Sequence, residues 1–110
     1  MTIEEITVEE LAEHFAATPG QGVLIDVREQ DEYEQGHVAG AILVPLSEFA
    51  ERAADIPDGQ PLHIICRSGA RSMRAAEALA RSGITAINVA GGTLGWIDSG
   101  RPVVVGPDRG

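Results

Sequence analysis

The sequence contains no lysine, one cysteine, one tryptophan, one tyrosine and two phenylalanines in 110 residues. A lone cysteine cannot close an intramolecular disulfide, and with no CxxC and no Cys/His cluster nothing is placed to hold zinc. Redox chemistry would therefore need an external partner. No run approaches the roughly 18 consecutive apolar residues that suggest a membrane span. The acidic start, Met-Thr-Ile-Glu-Glu, lacks the basic stretch and apolar run of a signal peptide. Cations are scarce: eight arginines against 17 carboxylates leave a net charge of −9, which disfavours a phosphate backbone as ligand. These absences point to a soluble protein of a reducing compartment, the cytoplasm, with no nucleic-acid or membrane partner. There is no repeat, low-complexity stretch or linker, so residues 1–110 read as one domain, with 101–110 as a partly mobile tail. At this length folding buries roughly two thirds of the chain's surface, and 44% hydrophobic residues are enough for a core without disulfide or metal.

What is present alternates. Thr7 and Glu10 have capping-box spacing, with Ile6 and Leu11 placed as a hydrophobic staple, so a helix is expected from Val8 to a stop at Thr18-Pro19-Gly20. Val23-Leu24-Ile25, Ala41 to Val44, Leu62 to Ile65 and Ala86 to Val89 are short apolar runs of the kind buried on both faces of a parallel sheet. Helical stretches are predicted near Asp31 to Gln35, over Ser47 to Ala54, from Ala70 to Ser82 with Gly83 as its stop, and over Gly92 to Ser99. In the third of these Met73, Ala76, Leu79 and Ala80 form the apolar stripe, and Phe15, Phe49 and Met73 are read as core. The alternation predicts an α/β fold, a mainly parallel sheet with helices on both faces, in which ligands bind beyond the carboxyl ends of the strands.

The only cysteine lies at such an end. Cys66 follows a buried strand and precedes Arg67-Ser68-Gly69-Ala70-Arg71-Ser72, a small polar loop running into a helix. A thiolate there faces loop amides and the positive end of the helix, and Arg67 and Arg71 add full charges, so its pKa should fall. No acidic residue occurs between Asp58 and Glu77, which makes this stretch a cationic patch in an acidic protein. The expected ligand is a small anion held by amides and guanidinium forks. A free cysteine is often just a small buried hydrophobe, but that role does not call for a glycine, two serines and two arginines directly after it. Arg74 reads as a solvated helix-face residue.

The chain closely resembles the single-domain rhodanese-like sulfurtransferases. Cys66-Arg67-Ser68-Gly69-Ala70-Arg71-Ser72 is similar to that family's active-site loop. Asp26-Val27-Arg28-Glu29, Gly36-His37-Val38-Ala39-Gly40-Ala41, Asn88-Val89-Ala90-Gly91-Gly92 before Trp96, and Gly100-Arg101-Pro102-Val103 appear in the family's order. The resemblance spans about Ile3 to Val105. It implies a three-layer α/β/α sandwich with about five strands and a double displacement: Cys66 takes the outer sulfur of thiosulfate or a similar donor and passes it from a persulfide to cyanide, a thiol or a protein. Arg67 and Arg71 would bind the donor, with Ser68, Gly69, Ala70 and Ser72 completing the loop. No metal or organic cofactor is implied, because cysteine carries the sulfur. Thioredoxin or glutathione could serve as acceptor, since no second cysteine can resolve the persulfide.

Other readings have specific tests. Phosphatases and arsenate reductases place five residues between cysteine and arginine, whereas four separate Cys66 from Arg71 here. A persulfide carrier serving a protein partner would show weak thiosulfate kinetics, and a non-catalytic interaction module would not need Cys66. Asp26 and Arg28 read as an ion pair or turn cap, with contact to the site mouth as the alternative. His37 reads as a packing residue rather than an acid or base, and His63 as a hydrogen-bonded core or edge histidine. Asn88 with Gly91-Gly92 forms a turn that could shape the site, and Trp96 reads as core or as pocket wall.

Overall fold

The reciprocal bonds expected of Thr7 and Glu10 are present: the Glu10 amide donates to Thr7 Oγ1 at 3.1 Å and the Thr7 amide to Glu10 Oε1 at 3.0 Å. They start helix α1 (Val8–Ala17), which buries Val8 and Leu11. The structure, a computed structural model, describes residues 2–18, 22–56 and 62–110. Pro19 and Gly20, read as part of the helix stop, lie outside the described residues.

The strands are β1 (Glu5–Ile6), β2 (Val23–Asp26), β3 (Ile42–Leu43), β4 (Leu62–Ile65) and β5 (Ala86–Val89). They form one sheet in the order β1-β5-β4-β2-β3, and every pair is parallel. β2 and β4 pair in register from Val23 opposite Leu62 to Asp26 opposite Ile65. Alternation of side chains along the strands feeds two cores. Ile25, Leu62, Ile64 and Cys66 pack on one face with Ala75, Ala76 and Leu79 of α3 (Ala70–Arg81). Leu24, Ile65 and Val89 pack on the other with Val8 and Leu11 of α1 and Tyr33 of α2 (Gln30–Gln35). Trp96 of α4 (Gly92–Asp98) covers that second core. This is the α/β sandwich expected from the alternating runs.

Three details differ from the sequence reading. β1, which no apolar run announced, is a two-residue edge strand with Glu5 exposed. The helix expected over Ser47 to Ala54 is replaced by two short 3-10 turns, Leu46–Glu48 and Ala53–Asp55. Its apolar anchors are Phe49 and Ile56, with Leu46 partly buried, and none of residues 50–52, 54 and 55 between the two adds a buried hydrophobic contact to the core. In α3 the buried positions are Ser72, Ala75, Ala76 and Leu79, a face rotated from the expected stripe, with Met73 only half-buried. The rotation carries Ser72 into the interior.

The closing segment 101–110, expected to be partly mobile, makes specific bonds. Val104 and His37 exchange backbone hydrogen bonds of 2.8 and 2.9 Å, and the Gly106 amide donates to the Glu34 carbonyl at 2.8 Å. The Asp108 carbonyl lies 2.7 Å from His37 Nε2.

Candidate active site

Because all five strands are parallel, their carboxyl ends share one edge, and the segments after β2, β4 and β5 meet there. Cys66 directly follows β4 and is 1% exposed. The chain then turns through Gly69, whose φ of 112° is left-handed backbone, and enters α3 at Ala70. This turn aims the Gly69 N–H at Cys66 Sγ, 3.0 Å away, and brings the Ser72 hydroxyl within 3.3 Å of the same sulfur. No acidic side chain occupies the first turn of α3, so the positive helix end is left to the sulfur. Burial pushes the Cys66 thiol up, but the Ser72 hydroxyl and the amides of Ser72, Gly69 and Ser68 together outweigh it, and the thiol lies below its ordinary value. Among the causes that lower it, hydrogen-bond donors lead, rather than the guanidinium charges expected from sequence.

A polar network backs the loop. Asn88 on β5 is 1% exposed; its Oδ1 lies 2.5 Å from Ser72 Oγ, and its Nδ2 donates to the Gly69 carbonyl at 3.2 Å and to Glu5 Oε2 at 2.8 Å. Asn88 therefore does shape the site. From the far side, the Thr93 amide and hydroxyl both donate to the Cys66 carbonyl, at 2.8 and 3.0 Å, and the Leu94 amide donates to the Arg67 carbonyl at 3.0 Å. The approach requires glycine at position 92: φ is 58°, and a Cβ would stand 2.6 Å from the carbonyl oxygens of both Cys66 and Arg67. Glu5 and Thr93 were not marked from the sequence, where nothing links them to residues tens of positions away.

The arginines divide. Arg67 is exposed and has no ion pair among the described residues. Arg71 is clasped by Glu32 of α2 through two 2.7 Å bonds, Nη1 to Oε1 and Nη2 to Oε2. The Arg71 hydrogen bonds hold the Glu32 carboxyl down to about 2, against the opposing effect of burial. The cationic patch read from the linear sequence is thus partly neutralised by a residue 39 positions upstream. Adjacency of β2 and β4 is what brings α2 to the loop. Ser68 and Ala70 are exposed, and Arg74 is exposed on α3, a solvated helix-face residue as read. Beside the loop runs a groove of about 280 Å³ with Arg67, Glu32, Leu94 and Ile97 among its walls.

Asp26 and Arg28 form the buried ion pair expected of them, 2.8 Å between Nη2 and Oδ2. Arg28 also donates to the carbonyls of Glu32 and Gly36, at 3.2 and 2.8 Å, so the pair fixes α2 and with it Glu32. His37 is a packing residue as read: it stacks on Tyr33 with ring centroids 3.6 Å apart. His63 is buried but its Nδ1 has no hydrogen-bond partner among the described residues, unlike the bonded histidine expected. It faces His14, also unbonded at Nε2, at 4.9 Å between centroids. Trp96 packs against the second core and donates from Nε1 to the Pro102 carbonyl at 2.9 Å. Among the described residues no group of three or more His, Cys, Asp or Glu is arranged to hold a metal ion, and no helix is long and apolar enough to cross a membrane.

A family model for the rhodanese-like domain matches residues 7–99. The chain belongs to that family. Among its relatives, a sulfurtransferase of Allochromatium vinosum is 34% identical over 103 residues, covering 93% of this chain and 95% of the relative. A putative sulfur carrier protein of Bacillus subtilis, YrkF, is 35% identical over 96 residues; these cover 86% of this chain but only 51% of YrkF, so the rhodanese-like chain spans about half that relative's length. The rhodanese-related protein of Thermoplasma volcanium superposes with a TM-score of 0.83 at 34% identity, covering 92% of this chain and 97% of the other. These matches place the five-stranded sandwich and its β4–α3 loop within the rhodanese-like fold.

Proposed function

We propose that the protein is a sulfurtransferase in which Cys66 is the nucleophile and carries the transferred sulfur as a persulfide. The observation that carries this reading is the sulfur's setting: a buried Sγ at a strand's carboxyl end, 3.0 Å from the Gly69 amide and 3.3 Å from the Ser72 hydroxyl. Such donors stabilise a thiolate before attack and a charged persulfide after it. In the first half-reaction the Cys66 thiolate attacks the outer sulfur of a donor such as thiosulfate. The donor's S–S bond breaks, sulfite leaves with the bonding pair, and Cys66–S–S⁻ remains. In the second half-reaction a thiophilic acceptor, cyanide, a thiol or a protein thiol, takes the outer sulfur and returns the thiolate.

In this reading the segment from Arg67 through Ser68, Gly69, Ala70 and Arg71 to Ser72 is the donor-binding loop. Exposed Arg67 meets the donor's anionic group, and Arg71 contributes the share of its charge that Glu32 leaves. The loop has four residues between Cys66 and Arg71 and a closed Arg71–Glu32 bridge, an arrangement that favours a sulfur atom over a tetrahedral phosphate or arsenate. The reading places the protein in the cytoplasm, where a lone cysteine stays reduced and thioredoxin or glutathione could unload it.

The test is intact mass before and after thiosulfate, with Cys66→Ser alongside and cyanide added last. The expected result is a gain of one sulfur atom that requires Cys66 and is removed by cyanide with release of thiocyanate. No adduct from thiosulfate, polysulfide or a thiol persulfide would overturn the reading. Changing Arg67 to Ala should lower kcat/KM for an anionic donor by about tenfold, the worth of one charge-assisted contact.

A further inference from the structure

We infer that Asn88, held in place by Glu5, is a positioning residue for the Cys66 sulfur: it takes back the Ser72 hydroxyl hydrogen as negative charge leaves Sγ. The inference rests on the reading of Cys66 as nucleophile and adds two residues that never touch the reacting atoms. Ser72 and Asn88 are 0% and 1% exposed, so the hydroxyl chooses among three neighbours: Cys66 Sγ at 3.3 Å, Asn88 Oδ1 at 2.5 Å and the Gly69 carbonyl at 3.2 Å. The Asn88 side chain is held from turning its other end to the hydroxyl. Its Nδ2 donates to Glu5 Oε2 at 2.8 Å and to the Gly69 carbonyl at 3.2 Å, and two acceptors on one side admit only the NH2 end. Strand pairing builds this arrangement. β1 places Glu5 opposite Asn88 in the parallel register, and the Asn88 backbone N–H donates to the Glu4 carbonyl at 2.9 Å.

The chemistry at Sγ gives the second acceptor its use. The Cys66 thiolate is a charged acceptor and draws the Ser72 hydrogen. In the loading step a lone pair of Sγ forms the bond to the outer sulfur of thiosulfate, the donor's S–S bond breaks, and sulfite departs with the bonding pair. Sγ, an anion before the step, is then an uncharged divalent sulfur, and the negative charge stands on the outer sulfur of Cys66–S–S⁻. Charge balances, since a thiolate and a dianion become a persulfide anion and a dianion, and the Ser72 hydrogen stays on Oγ throughout. The Ser72–Sγ bond nonetheless loses its charged partner as the transition state forms. With Asn88 Oδ1 already 2.5 Å away, the hydroxyl gains one acceptor as it loses the other, in a buried site where such exchanges weigh heavily.

The same acceptor competes with the thiolate at rest. Asn88 therefore keeps the thiol less acidic than Ser72 and the loop amides alone would make it, and a less stabilised thiolate is the stronger nucleophile. Removing the acceptor should make Cys66 ionise more easily and react more slowly once ionised. A merely structural role predicts the opposite for ionisation, because a loosened loop loses its donors.

Alkylation by iodoacetamide across pH reads both quantities, as the half-point and the plateau rate above it. Wild type is compared with Asn88→Ala, with Glu5→Gln, and with each of these combined with Ser72→Ala. Asn88→Ala should lower the half-point by about half a pH unit and the plateau rate by about threefold. Glu5 is exposed, so Glu5→Gln tests the network without opening a buried cavity. It loosens the hold on the Asn88 amide and should move both quantities in the same directions, by about twofold. Combined with Ser72→Ala, neither substitution should shift them further, because Asn88 acts through the hydroxyl. Opposite or absent shifts in Glu5→Gln, or equal shifts with and without Ser72, overturn the inference; if Asn88→Ala does not fold, the Glu5 variants alone decide. The plateau rate of sulfur loading from thiosulfate, followed by intact mass, should fall together with alkylation, and a loading rate that does not fall also overturns it. A wild type that shows the alkylation pattern but takes no sulfur from thiosulfate, polysulfide or a thiol persulfide removes the sulfurtransferase reading and leaves the network standing.

Discussion

Ser72 has one hydroxyl hydrogen and three acceptors within reach: Asn88 Oδ1 at 2.5 Å, the Gly69 carbonyl at 3.2 Å and Cys66 Sγ at 3.3 Å. While the sulfur is neutral, the short contact makes Asn88 the better acceptor. Once the thiolate forms, a charged acceptor draws the hydrogen more strongly. Loss of that donor in Ser72→Ala should move the half-point of Cys66 alkylation by iodoacetamide to higher pH. With a hydrogen bond to a charged group worth about 1.5 kcal/mol, reactivity at pH 7 should fall by about tenfold. An unchanged alkylation profile would remove Ser72 from the site. His63 makes a separate prediction about stability. Burial first, and then the charge of His14, hold its pKa down to about 4 from the ordinary 6.5. Glu4, Glu10 and Glu13 line the same hollow as the two rings, which Phe15 also faces. The unfolded chain thus binds the proton first as pH falls, so the full contribution is present above 6.5 and is lost between 6.5 and 4. The loss should be on the order of 2 to 3 kcal/mol in urea titrations, and His63→Phe should flatten that part of the curve.

At the scale of elements, the site is a joint between three connections at the sheet's carboxyl edge. The contact of α4 with the loop depends on Gly92, where a Cβ would meet two carbonyl oxygens at 2.6 Å in left-handed backbone. Gly92→Ala should cost about 2 to 4 kcal/mol and lower the Tm, measured by calorimetry, and it should also slow sulfur loading because the loop must shift. Replacing Gly95, where a Cβ would meet only Val8 methyls from 3.5 Å outward, should cost far less. Much of this joint was legible beforehand. The strand–cysteine–loop–helix order pointed to Cys66, and the capping box fixed the start of α1 to the residue. The Glu32 clasp was not legible, because which connections lie side by side depends on strand order, and four similar apolar runs do not encode it. The same limit hid Glu5, since a two-residue strand with one exposed position carries no alternation to detect.

At the scale of the whole molecule, residues 101–110 close the face that α2 and the turn after it present. Val104 pairs with His37, Gly106 bonds Glu34, and the Asp108 carbonyl meets a His37 ring nitrogen. Removing residues 104–110 would leave the His37 amide and carbonyl without these partners and loosen the segment that carries Glu32. The truncated chain should lose on the order of 2 kcal/mol in chemical denaturation, given that the backbone bonds to His37, Glu34 and Gly40 and one ring bond are left unmade. Composition could not foretell this docking, because the segment's polar residues and glycines resemble a free tail until His37 is folded to receive them. The two amides that α4 directs onto the loop carbonyls have one more use. Those of Thr93 and Leu94 should exchange with deuterium only when the cysteine loop parts from α4, so that two resonances on another helix would form a clock for the opening of that loop.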